Sequence, residues 1–133
     1  MDVSVAGRVL IVDNEKTESA VMKSILAESG FEVSTIPADS AGTEPLRTDT
    51  AFDLVIIDMT MGRANDTESL RCVRNALPGT AVLLMTDNGT FRNVLLDIAE
   101  DFGIEYVKKP FYKDELVMSV RRALCRAEKK FQR

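Results

Sequence analysis

Residues 52–61 read FDLVIIDMTM. Leu54, Val55, Ile56 and Ile57 form an unbroken apolar run, rich in β-branched side chains, that stops abruptly at Asp58. A strand covered on both faces reads as a continuous apolar run, whereas a half-exposed strand alternates. This stretch therefore predicts a central strand of a parallel sheet. In open parallel sheets ligands bind beyond the carboxyl ends of the strands, which is where Asp58 stands.

The same pattern extends in both directions. Arg8 to Val12 (RVLIV) and Ala81 to Met85 (AVLLM) are also short and almost continuously apolar. Phe31 to Ile36 (FEVSTI) alternates and Glu105 to Lys108 (EYVK) is shorter, so these two read as edge strands. Helical stripes lie between them. Val21, Met22, Ile25 and Leu26 are expected to face one way, with Gly30 as C-cap. Leu70, Val73 and Leu77 make a second stripe, and Phe91, Leu95, Ile98 and Phe102 a third. Leu116, Val120, Leu124, Ala127 and Phe131 make the last, entered through Pro110. Between Asp39 and Arg47, Gly42 and Pro45 oppose a regular helix, and only a short or distorted one is expected. The order βαβαβαβαβα implies an α/β fold: a five-stranded, doubly wound parallel sheet with helices on both faces.

Length and composition narrow the function classes. The 133 residues fit one domain, and 45% hydrophobic residues suffice for one core. A net charge of −4 gives no sign of a nucleic-acid-binding face. No apolar run reaches the roughly 20 residues needed to cross a bilayer, and Met1 to Gly7 lacks a signal-peptide pattern, so a cytoplasmic setting is expected. Cys72 and Cys125 have no CxxC or metal-ligand spacing and read as ordinary thiols of a reducing compartment. The chain contains no histidine, which removes the usual base of Ser-His, Cys-His and many metal-hydrolase mechanisms.

The strand ends gather the polar residues. Asp13, Asn14 and Glu15 follow the first strand, Asp58 the third, Thr86 and Asp87 the fourth, and Lys108, Lys109 and Pro110 the fifth. Each type suits phosphoryl transfer. A carboxylate oxygen is a competent nucleophile toward phosphorus. Hard oxygen ligands suit Mg²⁺, and a lysine holds a phosphoryl oxygen as a point charge.

This set, with RVLIVDNE at the first strand, FDLVIIDMTM at the third, VLLMT at the fourth and YVKKPF at the fifth, resembles the receiver (CheY-like) domains of bacterial two-component response regulators. The resemblance runs from Arg8 to about Leu124. It implies a flavodoxin-like sheet of order 2-1-3-4-5, and a receiver core of about 7–125 followed by a basic helical tail or linker over 126–133. It implies Asp58 as phosphoacceptor, Thr86 as switch hydroxyl, Tyr106 as aromatic switch, and Lys109 as the phosphoryl-contacting lysine before a cis peptide bond to Pro110. The implied Mg²⁺ ligands are Asp13, Asn14, Asp58 and the backbone carbonyl of Thr60. It also places Thr60, Asp87 and Asn88 at positions that in the family tune self-dephosphorylation.

The sequence also departs from the family. Asn14 stands where a second acid is usual and removes one negative charge, so weak Mg²⁺ binding is expected. Asp87 replaces a small residue: it would narrow the entrance and repel phosphate, restore the charge lost at Asn14, or point to solvent. Gly62 replaces a usual proline and Asp66 a usual glycine, so the loop after Asp58 should differ from the standard one.

Two functions follow. The first is a regulatory phospho-switch, not an enzyme acting on other molecules. It would be loaded by a sensor histidine kinase or histidine phosphotransfer protein, and would signal to a downstream protein or output domain, or pair with a second copy, through the face of the fourth helix, fifth strand and last helix. The second is a degenerate pseudo-receiver that docks partners without phosphorylation. A flavin- or nucleotide-binding enzyme would want a glycine-rich phosphate loop, and the DNEKTES loop after the first strand has no glycine.

Overall fold

A computed structural model of the chain describes residues 6–13, 15–37, 52–58, 79–86, 100 and 104–131. Five strands, β1 (Gly7–Val12), β2 (Phe31–Ile36), β3 (Leu54–Asp58), β4 (Ala81–Thr86) and β5 (Glu105–Lys108), form one sheet of order β2-β1-β3-β4-β5. Every neighbouring pair is parallel. The two strands with broken or short apolar patterns, β2 and β5, are the edges.

Side chains alternate across a strand, so parity assigns them to faces. Val9 and Ile11, Leu54 and Ile56, Ala81, Leu83 and Met85, and Val107 project to one face. There they meet Met22 and Leu26 of α1 (Lys16–Glu28) and Leu116, Val120 and Ala123 of α2 (Lys113–Phe131) in a single core. Leu10, Val12, Val55, Ile57, Val82 and Leu84 project to the other face and are buried as well, so the three central strands are covered on both sides. At ~1.5–3 kcal/mol for each large side chain removed from water, this core is the main stabilising contribution.

The α1 stripe is narrower than the sequence suggests. Met22 and Leu26 are fully buried and Ile25 partly, but Val21 is 51% exposed. It sits one residue, about 100° of helix, to the side of Met22. Ser19, Met22 and Leu26, spaced three and four apart, make the inner face instead. At the other end, Gly30 has φ +94, where a residue with a side chain would be strained. The N–H groups of Ser29 and Gly30 donate to the carbonyls of Leu26 and Ala27 and close the helix. In α2, Leu116 and Val120 are buried, Leu124 and Ala127 partly so, and Ala123 joins them.

The segments read as further helices, Asp39–Arg47, Leu70–Leu77 and Phe91–Phe102, lie outside the described residues except for Glu100, which is helical and exposed, and Gly62, Asp66 and Cys72 lie outside them too. Cys125 is an exposed free thiol. Among the described residues, no helix is long and apolar enough to cross a membrane.

Candidate functional site

The alternation that builds the core also aims the polar residues. Asp13 continues the series Val9, Ile11, and its N–H extends the ladder by donating to the carbonyl of Ile36 at 3.1 Å. Asp58 continues Leu54, Ile56. Lys109 continues Val107, and its N–H donates to the Thr86 carbonyl at 2.7 Å. All three therefore leave the sheet on the side where α1 lies. Thr86 has the opposite parity, and the register pairs Leu84 with Tyr106 and Thr86 with Lys108. Thr86 and Tyr106 thus share the other face.

The Lys109 ammonium bridges two acids. Its Nζ lies 3.0 Å from Asp58 Oδ2 and 2.6 Å from Glu18 Oε1. The Asp58 side chain is 8% exposed, that of Lys109 16% and that of Glu18 26%, so these charges meet in a poorly solvated place. Burial opposes the charge on Lys109, but the adjacent carboxylates of Glu18 and Asp58 outweigh it and raise its pKa above the usual value. The lysine stays protonated.

Asp13 completes the group. One oxygen, Oδ1, accepts a hydrogen bond from the Glu15 N–H at 2.9 Å. The other, Oδ2, is buried and has no hydrogen-bond partner among the described residues. Burial first, then the neighbouring carboxyl groups of Glu18 and Asp58, push the Asp13 pKa up to about 8, against the opposing hydrogen bond of the Glu15 N–H. Carboxylate oxygens of Asp13, Glu18 and Asp58 lie within 4.8 Å of one another. Three acids around one ammonium leave excess negative charge in a site of hard oxygen donors, and a buried orphan oxygen faces no cation of its own. These residues fit a small divalent cation such as Mg²⁺.

Thr86 is 1% exposed, and its hydroxyl has no hydrogen-bond partner among the described residues. A buried unpaired hydroxyl costs about 1–3 kcal/mol, a cost removed by an incoming acceptor. Tyr106 is 45% exposed. The Lys109–Pro110 peptide bond is cis. Asn14, Thr60, Asp87 and Asn88, also named from the sequence, lie outside the described residues.

Glu18 escaped the sequence reading. The signal was its position: Glu18, Met22 and Ile25 are spaced four and three apart, which places an acid on the inward side of α1. An acid on the apolar side of a helix needs a cation partner. Here that partner is Lys109.

Comparison with known proteins agrees with this architecture. Residues 9–121 match the response regulator receiver domain family. The transcriptional regulatory protein DltR of Streptococcus agalactiae is 30% identical over 116 residues, covering 86% of this chain and 50% of DltR. The transcriptional regulatory protein CusR of Escherichia coli is 31% identical over 121 residues, covering 90% of this chain and 52% of CusR. The chain thus spans about half the length of the curated relatives it matches. Among solved structures, a response regulator receiver domain protein from Clostridium thermocellum superposes with a TM-score of 0.71 at 31% identity, over 95% of this chain and 98% of that one. A CheY-like receiver domain protein from Methanospirillum hungatei gives a TM-score of 0.73 at 23% identity, over 96% and 99%, and shares the fold. With strand order, cis bond and strand-end carboxylates all in place, the chain belongs to the response regulator receiver domain family.

Proposed function

We propose that this domain is a phospho-switch in which Asp58 accepts a phosphoryl group from a phosphohistidine of a partner kinase or phosphotransfer protein. One observation carries the reading: a strand-end carboxylate in contact with a partly buried, protonated lysine at 3.0 Å, beside a second carboxyl group with an unpartnered oxygen. In the transfer, an Asp58 oxygen forms the bond to phosphorus as the phosphorus–nitrogen bond of the donor breaks. The donor imidazole leaves with the electron pair of that bond. The chain has no histidine, so the donor belongs to another chain or another part of a longer one.

Asp13, Asp58 and Glu18 are the described residues that would hold Mg²⁺, with Asn14 and the Thr60 carbonyl as further candidates. When bound, the cation would neutralise charge on the phosphoryl oxygens. Lys109 holds one of those oxygens by its ammonium. Thr86 donates its unpaired hydroxyl to another. Thr86 and Tyr106 share a face, so movement of the threonine opens room for the Tyr106 ring to turn inward. The outcome is a population shift between two states of the surface carrying β5 and α2, whose size is set by their difference in stability. That surface then engages a downstream protein, an attached output domain or a second copy. The core of about 7–125 acts as one receiver unit in a cytoplasmic setting. No direct nucleic-acid contact and no membrane contact are ascribed to it.

The test is an intact-mass measurement after incubation with Mg²⁺ and acetyl phosphate, alongside amide shifts with Mg²⁺ and beryllofluoride. A single phosphoryl adduct, absent in Asp58→Asn, is expected. No adduct and no shifts at high Mg²⁺ would identify a degenerate receiver that docks partners without phosphorylation, the reading motivated by Asn14 and Asp87.

A further inference from the structure

We propose that Glu18 is a built-in competitor for Lys109, a carboxylate that holds the ammonium away from the incoming phosphoryl group and so weakens the phosphorylated state. The proposal rests on the phosphoacceptor reading of Asp58 and adds a control element to it.

Lys109 Nζ stands closer to Glu18, at 2.6 Å, than to Asp58, at 3.0 Å. An ammonium has three protons to donate: one goes to Asp58 Oδ2, and the closer contact with Glu18 Oε1 is an ion pair. A phosphoryl oxygen arriving on Asp58 claims the same donor. It must either displace Glu18 or share a cation with it, while Glu18 adds a negative charge to an already acidic pocket. Burial makes this matter. The three side chains are between 8% and 26% exposed, so water screens their mutual interaction poorly. Glu18 is also well anchored for the task. It lies in the first turn of α1, where the helix dipole favours an acid, and the buried Ser19 and Met22 fix that turn against the sheet. The same turn lines the cleft shared by Glu15, Thr17, Val21, Lys109, Pro110 and Phe111. Glu18 therefore acts at the open edge of the pocket, by positioning Lys109 and not by touching phosphorus.

The test titrates beryllofluoride, followed by amide shifts, into the wild type, Glu18→Gln and Glu18→Asp, each at saturating Mg²⁺ determined separately for that protein. Glu18→Gln keeps the shape and removes the charge, and about tenfold tighter binding is expected, equivalent to about 1.4 kcal/mol. Glu18→Asp retains the charge and should fall between Glu18→Gln and the wild type. Unchanged affinity in Glu18→Gln overturns the proposal. Weaker binding overturns it as well, and would make Glu18 chiefly a support for the cation. If neither the wild type nor Glu18→Gln binds, the phosphoacceptor reading fails. The hold on Lys109 is then judged by a double-mutant cycle of Glu18→Gln with Lys109→Met in urea unfolding. A coupling factor of about fivefold or more in the unfolding equilibrium upholds it, and additivity overturns it.

Discussion

Replacing Asp13 by asparagine should make the protein more stable at neutral pH when no divalent cation is present. The folded domain raises the Asp13 pKa to about 8, whereas in the unfolded chain the group titrates near the ordinary aspartate value of about 4. Between those values the folded state holds a proton that the unfolded state lacks. Unfolding then releases a proton, and stability falls as pH rises through that window. The slope approaches about 1.4 kcal/mol per pH unit for one proton. From about pH 5.5 to pH 7.5 the loss is therefore up to about 2.7 kcal/mol, and on the order of 1–3 kcal/mol once neighbouring charges adjust. Asparagine keeps an acceptor for the Glu15 N–H, so the entry to α1 survives while the titration disappears. Urea unfolding in EDTA at several pH values, with wild type and Asp13→Asn side by side, measures the two slopes. The wild-type stability should fall toward alkaline pH and the variant should stay nearly level, with the curves diverging above about pH 5. Added Mg²⁺ should oppose the wild-type loss, because a cation bound only to the folded state at ten times its Kd contributes about 1.4 kcal/mol. Parallel pH profiles for the two proteins would refute the reasoning.

Lys109→Met should destabilise the domain by about 3 kcal/mol near pH 7, because it leaves two poorly solvated carboxylates without their shared cation. The urea midpoint reports it, and part of the loss should return in high Mg²⁺. Leu116 is fully buried in the core beneath α2, so Leu116→Ala should cost about 3 kcal/mol, within the usual range of about 2–5 for such truncations. The denaturant slope should be unchanged, and a midpoint equal to that of the wild type would show that α2 does not pack as described.

Much of this was legible in the residues because two simple periodicities govern it. The run Leu54–Ile57 marked a strand covered on both faces, and β3 is fully buried up to Asp58. The alternation of FEVSTI marked an edge, and β2 is one. Gly30 marked the end of α1 for a reason visible in its φ. The same alternation also separates Asp13, Asp58 and Lys109 from Thr86 and Tyr106. What periodicity cannot supply is the rotation of a helix about its own axis. Val21 and Met22 are equally apolar, and only packing against Val9, Ile11 and Val33 decides which is buried. Glu18 was hidden for the same reason. Its importance comes from residues 40 and 91 positions away in sequence, brought near by the crossing of α1 over the strand ends.

One consequence of the Asp13 hydrogen bond concerns the connectivity of the pocket. Asp13 Oδ1 holds the Glu15 N–H, Glu15 leads into the first turn of α1, that turn carries Glu18, and Glu18 reaches Lys109, which returns to Asp58 beside Asp13. The contacts form a closed ring through strand, helix and strand. In a ring of this kind no member relaxes by itself: drawing Asp13 toward a cation pulls on the start of α1, and withdrawing Lys109 frees Glu18. A cation at Asp13 and a phosphoryl group at Lys109 would therefore act on one connected set of residues.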